Sequence, residues 1–220
     1  MSIQDNIRDI QTQITDRAQA VGRDASDIKL IAVSKRQPEA RLDAALAAGH
    51  RLFGENRVQE AVEHWASRRE NYPDLRLHLI GPLQTNKVAE AVALFDVIET
   101  LDREKLARSL AKEMEKQGNS LSCFIQVNTG AEAQKSGVAV QDLADFYTFC
   151  VQECGLNIQG LMCIPPIDEP AALHFALLKK HADRLGLKDL SMGMSSDFEK
   201  AIPLGATYVR VGTGVFGARD

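Results

Sequence analysis

The sequence predicts an α/β protein, a single (β/α)8 TIM-type barrel with an extra N-terminal helix. Three observations lead there. Eight short strand-like runs alternate with helical runs along the chain. The strand runs are mostly continuous in apolar residues rather than alternating, as expected of a parallel sheet buried on both faces. The chain also ends at Asp220, too soon after the last run for a full eighth helix, and an N-terminal helix could cover that gap. An open doubly wound sheet is the runner-up. Proline and glycine sit singly at element ends, and nothing reads as a linker, so residues 1–220 are expected to form one domain.

The first element is a helix. Ser2 is a plausible N-cap, Ile3, Ile7, Ile10, Ile14, Ala18 and Val21 recur at steps of three and four, and Gly22 can end it. Strands are predicted at Ile28–Val33, Arg51–Gly54, Leu75–Gly81, Phe95–Thr100, Leu121–Asn128, Ile158–Ile164, Asp189–Gly193 and Thr207–Gly212. Helices are predicted between them, at Pro38–Ala48, Val58–Arg69, Asn86–Leu94, Arg103–Gln117, Val140–Glu153, Pro170–Arg184 and Ser196–Leu204.

Composition narrows the function. At 45% hydrophobic and 25% charged, the 220 residues can bury an ordinary core. A formal net charge of -4 with scattered basic residues argues against a nucleic-acid surface. No apolar run reaches membrane-spanning length and the N-terminus lacks a signal-peptide layout, so a cytoplasmic protein is expected. The four cysteines, Cys123, Cys150, Cys154 and Cys163, read as small core fillers. They show no ligand spacing with the five histidines, and no metal site is assigned.

The chemistry is expected at the C-terminal ends of the strands, where barrels place it. Lys35 closes the run Ile28-Lys-Leu-Ile-Ala-Val-Ser-Lys35, and a lysine amine in such a place can form Schiff bases with carbonyl compounds, pyridoxal phosphate (PLP) among them. Ser191-Met-Gly-Met-Ser195 ends the seventh run and Gly212-Thr-Gly214 the eighth. Hydroxyls, glycines that let the backbone come close, and helix N-terminal N–H groups suit a phosphate there. Arg210 lies inside an apolar strand and needs a partner. That partner is either a core carboxylate, with Glu55 one candidate, or a cofactor's ring nitrogen or anion. Asn56 is either a helix cap or a cofactor contact. His78 reads as a satisfied core histidine, and Met162 and Met194 as adaptable groups able to line a pocket.

Taken together, these residues resemble one family. Ala32-Val-Ser-Lys35, Phe53-Gly-Glu-Asn56 with Val58-Gln-Glu60, Ile80-Gly-Pro-Leu-Gln-Thr-Asn-Lys87, Gln126-Val-Asn128, Lys135-Ser-Gly137, Gly160-Leu-Met162, Ser191-Met-Gly-Met-Ser195 and Val209-Arg-Val-Gly-Thr213 through Phe216-Gly217 match the PLP homeostasis proteins. These are single-domain relatives of the alanine racemase N-terminal barrel. Cys163-Ile-Pro-Pro166 departs from the more usual Thr-Ile-x-Pro, and the C-terminal tail is short. The resemblance implies that Lys35 carries PLP as an aldimine, and that Ser195, Gly212 and Thr213 help hold the phosphate. It also implies that Arg210 faces the pyridine nitrogen, with Asn56, Met162 and Met194 nearby. The implied role is a carrier or buffer in vitamin B6 homeostasis without established catalysis, working as a monomer, with PLP-dependent apo-enzymes as candidate recipients.

Two alternatives stay open, a PLP-dependent amino-acid racemase of low activity and a barrel aldolase with a Schiff-base lysine and no cofactor. Racemisation needs an acid/base on each face of the substrate. The chain leaves no residues for the extra domain that supplies alanine racemase's second-face tyrosine, and Tyr72, Tyr147 and Tyr208 sit in no matching motif. A fixed cation at Arg210 would also make the pyridine ring a weaker electron sink.

Overall fold

The computed structural model describes residues 2–132 and 134–217. Its first element, α1 (Ile3–Ala20), begins as the sequence predicts. The Ser2 hydroxyl accepts the Asp5 N–H at 3.1 Å, and the Asp5 carboxylate accepts the Ser2 N–H at 3.3 Å, so two of the helix's orphan donors are satisfied reciprocally. Ile7, Ile10, Ile14 and Ala18 form its buried face.

Strands and helices then alternate: β1 (Lys29–Val33), α2 (Glu39–Ala47), β2 (Leu52–Glu55), α3 (Val58–Asn71), β3 (Arg76–Leu79), α4 (Val88–Leu94), β4 (Val97–Leu101), α5 (Glu104–Gln117) and β5 (Ser122–Asn128). A two-residue strand, β6 (Val138–Ala139), precedes α6 (Leu143–Thr148). The chain continues through β7 (Asn157–Met162), α7 (Ala171–Leu185), β8 (Asp189–Met194), α8 (Phe198–Ala201), β9 (Tyr208–Val211) and α9 (Thr213–Phe216). Every strand pairing is parallel, and the order β4-β3-β2-β1-β9-β8-β7-β5 closes through β4–β5. Eight strands therefore form the barrel, and β6 only extends β5.

The outward faces of the strands bury the main core against the helices, while Ile31, Val97, Phe124, Met162 and Tyr208 fill the barrel interior. Among the described residues, the predicted gap after the last strand holds the four-residue α9. There α1 packs beside it, and Asn6 Nδ2 donates to the Val215 carbonyl at 2.9 Å. The expectations about the end of the chain beyond Gly217 lie outside the described residues.

Three local features escape sequence patterning. The helix predicted over 140–153 is interrupted, since α6 passes into a π-helical turn at Phe149–Glu153 that buries Cys150. The helix predicted at 196–204 is short and gives way to a 3-10 turn at Ile202–Leu204. The third feature is a bulge. Ser191 pairs with Tyr208 and Met194 with Arg210, so β8 carries one residue more than β9 over this stretch. Gly193 absorbs it at φ 92°, a conformation that favours glycine.

Candidate functional site

The strand ends bring the predicted residues to one mouth of the barrel. Lys35 lies two residues past Val33, the last residue of β1, and Val33 pairs with Gly54 of β2. A Cβ built on Gly212, just past β9, would lie 3.4 Å from the Val33 Cβ, so these two chain ends are adjacent. Gly212 caps α9, whose first internal bond runs from the Val215 N–H to the Gly212 carbonyl at 3.0 Å. The N–H groups of Thr213 and Gly214 precede that bond, as at any helix start. Thr213 and Ser195 are both exposed at this mouth. Arg36, immediately after Lys35, takes φ 56°, an uncommon backbone for a non-glycine residue and one that clusters at functional loops.

Beneath this mouth lies a buried polar network. Arg210 is only 4% exposed. Its Nη1 donates to the Ser191 hydroxyl at 2.6 Å and its Nη2 to the Cys163 carbonyl at 2.8 Å. A guanidinium has five N–H donors, so these two bonds leave donors for a ligand. The Ser191 hydroxyl donates in turn to Glu99 Oε2 at 2.6 Å, and Glu99 Oε1 bonds His78 Nδ1 at 2.7 Å. Burial alone would push the Glu99 carboxyl up. The His78 hydrogen bond and charge, the Arg210 charge and the Ser191 hydroxyl outweigh it and hold the carboxyl below its usual value. Arg210 is thus a buried cation with a buried carboxylate one hydroxyl away.

Several expectations change here. Glu55 is not the partner of Arg210. Gly54 faces the barrel interior, where a Cβ would meet the Ile31 side chain at 2.7 Å, so Glu55 faces outward to α3. There it accepts from Ser34 Oγ at 2.7 Å and Trp65 Nε1 at 3.1 Å and bonds His64 Nδ1 at 2.9 Å. Asn56 is not a helix cap: Arg57 holds that position, with no side-chain bond. The hydroxyls of Ser191-Met-Gly-Met-Ser195 do not act together, because Ser191 belongs to the Arg210 network. The following turn is closed by Asp197, whose carboxylate accepts the Met194 N–H at 2.6 Å. Met162 is fully buried inside the barrel, whereas Met194 is 36% exposed at the mouth. His78 is a satisfied core histidine, as its sequence context suggested.

A cavity of about 340 Å3 opens at the same end, lined by Asn56, Gly81, Thr100, Gln126 and Lys135 among others. Asn56 is the predicted site residue that reaches it; Lys35, Arg210, Gly212 and Thr213 do not line it. A cavity of about 700 Å3 opens at the opposite, N-terminal end, around Lys29, Arg76 and Tyr208. Its size does not make it the site, since the convergent strand-end groups stand at the other mouth. Glu99 was missed by sequence reasoning. The signal was present: a carboxylate within the apolar run Phe95–Thr100 needs a buried partner, by the same argument that singles out Arg210.

The donor set fits PLP: an amine at a strand end, a hydroxyl and glycine turn beside it, and a buried cation. Known proteins point the same way. The family model for the alanine racemase N-terminal domain matches residues 3–220. Proteins named pyridoxal phosphate homeostasis protein match from Vibrio cholerae, at 42% identity over all of this chain and 97% of that protein, and from Pseudomonas aeruginosa, at 43% over all of this chain and 96% of that one. The structure of PipY from Synechococcus elongatus without PLP is 39% identical, with a TM-score of 0.83 over 93% of this chain and 100% of that one. PipY with PLP bound gives a TM-score of 0.81 at the same identity and coverage. Alanine racemase from Clostridium difficile shares the fold at 14% identity, with a TM-score of 0.68 over 96% of this chain and 57% of that one. The chain belongs to the alanine racemase N-terminal domain family and, within it, to the pyridoxal phosphate homeostasis proteins.

Proposed function

We propose that this protein binds pyridoxal 5'-phosphate and serves vitamin B6 homeostasis by holding and releasing it, rather than by catalysing a reaction on it. The observation that carries the reading is the adjacency of the ends of β1 and β9, where Val33 lies against Gly212, so that Lys35, two residues past β1, and Thr213 leave neighbouring strands, with Arg210 buried in β9 below them. PLP supplies an aldehyde that reacts reversibly with amines, and an anionic phosphate. Lys35 is the amine. The hydroxyls of Thr213 and Ser195 and the N–H groups after Gly212 bind the phosphate, by the charge-assisted hydrogen bonds that are the stronger kind. Arg210, fixed by Ser191 and the Cys163 carbonyl, faces the pyridine nitrogen. Asn56 and Met194 border the ring, and Met162 supports it from inside the barrel. The reading extends to one PLP-binding domain over 1–220, acting as a monomer in the cytoplasm and passing PLP to PLP-dependent apo-enzymes. Among the described residues no helix is long and apolar enough to cross a membrane.

The deciding experiment is borohydride reduction of the PLP-loaded protein followed by peptide mass spectrometry. The adduct is expected on Lys35 and is expected to vanish in Lys35→Ala. An adduct on Lys87 or Lys135 instead would refute the assignment; both form ion pairs, with Glu90 at 2.8 Å and Glu132 at 2.7 Å. Incubation with L-alanine in deuterated water separates carrier from racemase. The α-proton is expected to stay in place, and Lys35-dependent deuterium uptake at an enzymatic rate would favour the racemase.

A further inference from the structure

Behind the Lys35 loop, on the outer side of β2, three potential ligands converge. Glu60 and His64 are four residues apart on α3 and so share one face. Glu55, at the end of β2, points out to meet them. One ligand atom each from Glu55, Glu60 and His64 lies within 4.8 Å of the others. Glu55 is fully buried, and while its Oε1 takes three hydrogen bonds, its Oε2 is buried with no hydrogen-bond partner. A buried carboxylate oxygen left unpaired is costly and calls for a proton, a water or a cation.

We propose that Glu55, Glu60 and His64 form a site for a divalent transition-metal cation. Two carboxylates and one imidazole are the donors such ions accept, and three protein ligands leave a position open for water. The geometry agrees. His64 Nδ1 and Glu55 Oε1 are 2.9 Å apart. Two ligands on a tetrahedral ion with bonds of about 2.0–2.1 Å stand about 3.3–3.4 Å apart, so this hydrogen-bonded pair needs to open by only about 0.4–0.5 Å to admit one. His64 and Glu60 are only partly buried, so an ion can reach the site from solvent. The site is tied to the loop on both sides of Lys35, since the Ser34 hydroxyl donates to Glu55 and the Arg36 N–H to Glu60. It stands whether or not Lys35 carries PLP. It also departs from the sequence expectation, which sought ligands only among cysteines and histidines.

The chain's only tryptophan reports on the site, because Trp65 Nε1 donates to Glu55 at 3.1 Å. The test is titration of untagged, chelator-treated full-length protein with ZnCl2 by calorimetry and with CoCl2 by Trp65 fluorescence. The expected results are saturable 1:1 Zn2+ binding, quenching by Co2+ that Zn2+ reverses, and losses of more than about 10-fold in affinity in His64→Gln and in Glu60→Gln, since even groups around metal ligands change affinity by that much. Thermal melts without metal show whether each variant is folded, and the half-buried Glu60→Gln serves if His64→Gln is not. No saturable binding by the wild type, undiminished affinity in a folded variant, or binding without a Trp65 response would each overturn the proposal.

Discussion

Replacing Glu99 with Gln tests whether the buried network holds Arg210 in place. Glu99 is fully buried, accepts from Ser191 at 2.6 Å and bonds His78 at 2.7 Å. Glutamine keeps the shape but removes the charge. Two hydrogen bonds to a charged group, each contributing about 1.5–3 kcal/mol, become neutral bonds of about 0.5–1.5 kcal/mol. Arg210, 4% exposed, loses its buried counter-charge, and breaking such a pair costs about 3–5 kcal/mol in all. Taking about 3 kcal/mol, the melting temperature of a chain this size should fall by about 6–12 °C. PLP should also bind more weakly, because Arg210 is no longer fixed. The pH dependence has a definite sign. The folded carboxyl lies below its ordinary value of 4.5, so its stabilisation is present above that value and lost as pH falls through the lower folded value. The gap between wild type and variant should therefore narrow in acid. Scanning calorimetry from neutral pH down to about pH 3, well below 4.5, checks this. A folded variant melting within about 2 °C of wild type at neutral pH, or a gap that persists unchanged in acid, would refute the reasoning.

Thr213→Val should weaken PLP by about 1.5–3 kcal/mol, roughly 10- to 150-fold, with pyridoxal, which lacks the phosphate, unaffected; fluorescence titration with both ligands decides. Gly81→Ala should destabilise the protein by about 1–3 kcal/mol in chemical denaturation and displace Asn56. A Cβ there would lie 2.2 Å from the Asn56 carbonyl oxygen, and a neutral result would mean that the end of β2 is free to shift.

The barrel was legible because its signal is repeated eight times. Short, mostly apolar runs such as Ile28–Val33, too short for a helix and recurring between helical patterns, suit strands buried on both faces. The positions of the candidate residues at strand ends were legible for the same reason: once β1 and β9 are placed, those of Lys35 and Gly212 follow. Partners were not. Whether Glu55 faces the barrel or α3 depends on the parity set at Gly54, and one residue of slip reverses it. The Ser191 hydroxyl reads as an exposed phosphate donor until the bulge at Gly193 is seen, after which it belongs to Arg210. The four-residue α9 and the π-helical turn at Phe149–Glu153 are too short to impose a period on the sequence.

The tyrosines bear on why such a barrel would hold PLP rather than turn over substrates on it. Racemisation needs a second acid/base across the ring from the lysine. Tyr208 lines the cavity at the opposite mouth, and burial pushes its hydroxyl up to about 12. Tyr72 caps the end of α3, with the Arg51 guanidinium 4.8 Å over its ring. Tyr147 is on α6, packed against the core outside the barrel. None of the three stands at the strand ends that present Lys35. Ser191 and the Cys163 carbonyl accept from the Arg210 guanidinium, and Glu99 accepts from Ser191 in turn, so the cation is kept from swinging away. In the proposed arrangement, a fixed cation facing the pyridine nitrogen would disfavour its protonation and weaken the ring as an electron sink. It would leave exchange at the aldehyde carbon untouched, and the proposed carrier role needs that exchange rather than a carbanion.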